Sequence, residues 1–241
     1  MFYLFMAITI LTGYFKDFLF IMTIILVHEC GHILCATLFH WKIEEIKILP
    51  FGGLTMFHED INSPLVEEFL ILCMGPITQI ILCTLLANHL NSVLFYRYHL
   101  MILWFNLLPI QPLDGSKFIN LISNFFFPYL KSYQITNIIS IISVSIISIL
   151  LFQIPFNFIG YMVLFFLIIE VIKSFKREKF CFNRFLLERY QKEYYFSKWK
   201  QIRGGHLEKM YRGRKHLFWV ENKWQREREI LRKRFDLSRF L

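Results

Sequence analysis

Within the first 172 of 241 residues, apolar runs recur at about 2–15, 18–40, 65–87, 93–113, 133–152 and 156–172. About 20 apolar residues coiled as a helix match the roughly 30 Å hydrocarbon layer of a bilayer, and a helix satisfies its own backbone polar groups there. The pattern predicts an all-α polytopic membrane protein with about six transmembrane helices. At 56% hydrophobic residues, the chain is too apolar for a soluble domain of its length. The first run is short for a full span and is expected to tilt or to thin the bilayer around it. It lacks a basic start and a small-residue cleavage site, so it is expected to stay as an anchor. Gln153–Pro155 separates the last two runs, because proline cannot continue a helix.

Charge divides the chain differently. Residues 1–170 hold six Lys and Arg against ten Asp and Glu, a net −4, whereas residues 171–241 hold 21 against eight, a net +13. Excess cationic charge beside spans marks the cytoplasmic side and attracts anionic lipid. The expected division is a transmembrane domain over 1–174 and a basic cytoplasmic tail over 175–241, with membrane lipid as its neighbour and no direct contact with nucleic acid. An even number of spans puts both termini in the cytoplasm. The five cysteines, at 30, 35, 73, 83 and 181, lack ligand spacing and read as buried small hydrophobes. In the tail, Trp224–Phe235 reads as an amphipathic helix.

Three ionisable groups interrupt the second run in the order His28-Glu29-Cys30-Gly31-His32. Such groups are costly in hydrocarbon and point to function. Spaced i,i+4 on a helix, His28 and His32 share a face from which both imidazoles can reach one zinc ion. Glu29 is placed to take a proton from a water on that metal. Cys30 projects about 100° away from its neighbours and is not expected to coordinate. The candidate third ligand is Asp114, which follows Asn106 and Pro109 where proline and Gly115 would break the fourth run; an ordinary turn residue is the alternative. The Asn106 amide is suited to a substrate backbone or a developing oxyanion. Between the second and third runs, Trp41–Met56 alternates and then turns at Pro50 and Gly52-Gly53. That predicts a hairpin that dips into the membrane and can pair with an extended peptide, the alternative being an interfacial loop. His40 and His58 read as interfacial. A metal transporter would need polar residues along several helices, and the last two runs supply only Ser, Asn and Gln.

The order H-E-x-x-H, then about 80 residues on N-x-x-P-x-x-x-L-D-G, is carried by His28, Glu29, His32, Asn106, Pro109, Leu113, Asp114 and Gly115. It resembles the site-2 protease family of intramembrane zinc metalloproteases. Pro50–Gly53, Glu67-Glu68 and Gly75-Pro76 are similar to the stage IV sporulation protein FB branch, and residues 1–175 fit that branch throughout. The resemblance implies a three-helix catalytic core with a membrane-reentrant hairpin. It also implies one zinc ion per chain on His28, His32 and Asp114, with Glu29 activating water. Asn106, Pro109, Phe51, Gly52 and Gly53 are the candidates for positioning substrate. The implied substrate is the membrane-associated pro-form of a sporulation sigma factor, held in check by inhibitory membrane proteins, in a bacterial cell or forespore membrane. A protease of general envelope signalling would carry a PDZ domain, for which there is no room between the runs. The tail departs from the branch: at about 65 residues it is too short for a full pair of CBS motifs, and Tyr211–Val220 is at most a remnant of one.

Overall fold

A computed structural model describes residues 13–49, 52–58, 61–90, 93–153, 155 and 157–237. Seven α-helices appear among them: α1 (Phe15–Leu38), α2 (Leu65–Leu90), α3 (Val93–Asn106), α4 (Asp114–Phe126), α5 (Tyr129–Phe152), α6 (Phe158–Gln191) and α7 (Glu227–Leu237). Strands β1 (Lys42–Leu49) and β2 (Gly52–His58) form one antiparallel pair. Strands β3 (Trp199–Arg203), β4 (Lys215–Val220) and β5 (Lys223–Arg226) form a second sheet in that order. The expected first run lies outside the described residues. Among those described, α1, α2 over Leu65–Leu86, α5 and α6 are long and apolar enough to cross a bilayer.

The chain falls into two units, the first comprising residues 1–59 and 69–108 and the second residues 60–68 and 109–241. In the first, Ile24 and Ile25 of α1 pack with Cys83 of α2 and Phe95 and Ile102 of α3, while Cys35, Ala36 and Ile71 form a smaller cluster. Gly31 permits the close approach of α1 to α2, since a Cβ there would stand 2.5 Å from the Met74 carbonyl oxygen. At the end of α1, His40 adopts φ 61°, Trp41 N–H donates to Ala36 O at 2.9 Å, and His40 N–H donates to Thr37 O at 3.0 Å. This is a Schellman stop, so His40 ends a helix. The β1–β2 hairpin follows and runs alongside α1.

In the second unit α5 turns the usual pattern inside out. Ser132, Thr136, Asn137 and Ser140 are buried, whereas Ile138, Ile141, Ile142, Ile146 and Ile149 are exposed. Small polar residues facing helices and branched apolar residues facing outward suit lipid surroundings. The fourth apolar run is interrupted, as its prolines led us to expect, but the chain then resumes as a helix: α3 stops at Asn106, and Asp114 opens α4. Pro109 and Pro112 withdraw two backbone donors and push the residues before them out of helical geometry. The last span does not end near 172 either. Helix α6 has 34 residues, roughly 50 Å at 1.5 Å per residue, more than a bilayer core holds. Its polar end is carried by pairs such as Arg184–Glu188, 3.2 Å apart.

The tail is not all-α. Strand β3 runs parallel to β4, and β4 turns antiparallel into β5 through Glu221 and Asn222, both at positive φ (55° and 58°). Two such residues make a type I′ turn, whose twist matches a two-residue hairpin. One sheet face buries Ile202 and Phe218 against Phe182, Phe185 and Leu186 of α6, with Met210, Ile230 and Leu231 completing the core.

Candidate metal centre

The site begins with α1, where His28, Glu29 and His32 are all buried. His32 Nδ1 lies 2.8 Å from the Ile71 carbonyl oxygen. A carbonyl only accepts, so His32 carries a proton on Nδ1, and in the neutral ring Nε2 is the nitrogen able to coordinate. His28 Nδ1 lies 2.9 Å from Gln79 Oε1, also an acceptor. His28 therefore has the same tautomer. The two Nε2 atoms face each other at 3.2 Å.

Nitrogens each about 2.05 Å from a tetrahedral zinc ion stand roughly 3.3 Å apart, so the pair fits two corners of such a site. Gly75 on α2 makes room, because a Cβ there would lie 2.2 Å from His32 Nε2. Glu29 directly follows His28 and is 8% exposed. Cys30 is exposed and unbridged, in keeping with a residue off the ligand face.

The second unit holds Asp114, buried at the first position of α4, with Lys117 Nζ 2.9 Å from its Oδ1. The irregular segment before it is fixed by α5. Ser140 Oγ is 3.2 Å from the Pro109 carbonyl oxygen and accepts from Gln111 N–H at 3.3 Å. Asn137 Oδ1 accepts from Gln111 Nε2 at 3.4 Å and from Ser174 Oγ at 2.6 Å. These Ser and Asn residues, which looked idle in the sequence, clamp the segment leading to Asp114. Asn106 is the buried last residue of α3 in the first unit. Gly52 and Gly53 pair with Leu49 and Ile48 in the hairpin, and Phe51 lies outside the described residues.

A further His–Glu pair sits in the tail but is structural. His216 Nδ1 donates to Glu227 Oε2 at 2.9 Å, while its Nε2 accepts the Tyr211 backbone N–H at 2.9 Å. Both ring nitrogens are thus committed. Arg189, stacked between Phe185 and Phe196, donates to Glu227, to the carbonyls of Tyr211 and Arg214, and to Asn62 Oδ1.

Two imidazoles poised for a divalent cation, beside a buried carboxylate on one apolar helix, define a membrane-embedded metal-dependent hydrolase. Residues 17–94 match the sequence profile of peptidase family M50. The chain is 34% identical over 193 residues to stage IV sporulation protein FB of Bacillus subtilis (strain 168), covering 76% of this chain and 67% of that protein. It is 31% identical over 129 residues to a zinc metalloprotease of Methanocaldococcus jannaschii, covering 49% of this chain and 37% of that one. The solved structure of a site-2 protease from Methanocaldococcus jannaschii superposes with a TM-score of 0.56 at 25% identity, over 70% of this chain and 83% of that one. The chain belongs to peptidase family M50, the site-2 proteases, and is an intramembrane metalloprotease.

Proposed function

We propose that this protease cleaves a membrane-associated precursor protein, a sporulation sigma factor pro-form, using one zinc ion held by His28, His32 and Asp114. The observation that carries the reading is the pair of Nε2 atoms facing each other 3.2 Å apart on a buried helix face; the likeness to a sporulation protein supports the sporulation context. Zinc, when bound, brings the pKa of a water to about 7 and polarises a carbonyl. Glu29 accepts the proton of the attacking water and delivers it to the leaving amine, so the peptide C–N bond breaks as the new C–O bond forms. Asn106 offers its amide to the substrate backbone. Pro109 keeps the approach to Asp114 non-helical.

A helical substrate shields its own carbonyls, so it must be extended to be cut. The β1–β2 hairpin, acting as a membrane-reentrant loop through Phe51, Gly52 and Gly53, presents strand pairing for that purpose. In this reading the chain crosses the membrane about six times. Residues 1–174 form the membrane domain, and residues 175–241 lie in the cytoplasm against anionic lipid, with both termini on that side of a bacterial cell or forespore membrane. Membrane partners inhibit the enzyme there.

The test is co-expression of wild-type and Glu29→Gln chains with membrane-tethered sigma factor precursors, followed by comparison of product sizes. A shortened product with wild type alone is expected. Equal cleavage by Glu29→Gln removes the mechanism, and no cleavage of any such precursor by wild type removes the substrate.

A further inference from the structure

Gln79 is fully buried on α2 and faces two helices. Its Nε2 donates to the backbone carbonyl of His99 on α3 at 2.9 Å and lies 3.3 Å from His99 Nδ1. Because a backbone carbonyl can only accept, the amide cannot be turned round: nitrogen must face His99 and oxygen must face His28. Oxygen at that place obliges His28 to carry its proton on Nδ1. The direction of one side-chain amide, fixed by the main chain of α3, thereby decides that Nδ1 of His28 carries a proton.

We propose that Gln79 is a positioning residue of the metal centre, which holds His28 in its ligating tautomer and couples metal affinity to the seat of α3 at His99. This deepens the zinc reading and rests on it. Partners of this kind, one bond removed from the metal, typically change affinity by about 10–100-fold when lost. His32 takes its partner from the Ile71 backbone, which no substitution removes. His28 is therefore the ligand whose orientation depends on a side chain.

The experiment measures zinc affinity by chelator competition for the full chain in detergent or nanodiscs. Gln79→Met keeps the length but removes the acceptor, and should weaken binding by about 10–100-fold. Thr78→Val, which removes a hydroxyl 3.1 Å from the Val27 carbonyl of α1 without touching either ring, controls for looser packing and should leave affinity unchanged. Equal affinity in Gln79→Met and wild type overturns the proposal, as does an equal loss in Thr78→Val. Failure of wild type to bind zinc overturns the metal reading itself. Nitrogen-15 spectra of histidine-labelled, metal-free wild type need no variant: protonated Nδ1 on His28 is expected, and a proton on Nε2 refutes the assignment.

Discussion

Gly75 presses bare backbone against the His32 ring, where a Cβ would lie 2.2 Å from Nε2 and 2.4 Å from Cε1. The ring has nowhere to retreat while its Nδ1 is bonded to Ile71. Helix propensity alone favours alanine over glycine by about 1 kcal/mol; the contact decides the other way. Gly75→Ala should lower zinc affinity by about tenfold or more through the displaced ligand, with helix content by circular dichroism unchanged. Undiminished affinity would show that the ring can move.

Gly31→Ala makes a different error. Its Cβ meets the Met74 carbonyl oxygen at 2.5 Å and Thr78 Oγ1 at 2.2 Å. Backbone cannot swing aside, so α1 and α2 must part. Overpacking of this kind costs about 1–3 kcal/mol. A lower midpoint in thermal unfolding of the metal-free protein is expected for Gly31→Ala, and a smaller shift for Gly75→Ala.

The closeness of the two histidines could be read from the sequence because residues i and i+4 share one face of a helix. Gln79 could not, since a single amide in an apolar helix says nothing of a partner 20 residues away on α3. Asp114 was visible as a candidate, but its place at a helix start was not. Two prolines signal a break without saying that the chain resumes as a helix immediately after Leu113. The tail's sheet was hidden because its strands are four to six residues long and carry Lys and Arg on the exposed face, so the alternation of buried Ile202, His216 and Phe218 is diluted. The type I′ turn and the buried Arg189 also hold the unit together, and neither has a strong sequence pattern.

Arg189 is the tail's main polar anchor, with a side chain 2% exposed and Nη1 3.0 Å from Glu227 Oε1. Removing one partner of a buried pair strands the other charge, at about 3–5 kcal/mol. Arg189→Met should therefore make residues 192–237 sensitive to limited proteolysis while the metal bound by the membrane helices is retained. Resistance equal to wild type would show that the apolar core, and not the polar contacts of Arg189, holds the unit together.

Acid should loosen the same unit. His216 accepts the Tyr211 N–H at Nε2, so protonation there breaks a bond, and burial holds its pKa below the ordinary value although the Glu227 carboxylate opposes the shift. In the unfolded tail this histidine titrates near 6.5. Below that pH the unfolded form therefore binds a proton that the folded form refuses, and stability falls as the pH drops toward the folded value. Glu227 acts in the same direction at lower pH. Burial alone would raise its pKa, but the His216 hydrogen bond and the Arg189 charge bring it below the usual carboxylate value, so its contribution is lost as the pH falls through that lowered value. Trp199, Trp219 and Trp224 of the sheet give a fluorescence signal for tail unfolding. A plateau above about pH 6.5 and a steady loss beneath it are expected, with His216→Gln flattening the upper part of the fall; stability that rises on acidification through this range would mean that His216 is protonated in the folded tail.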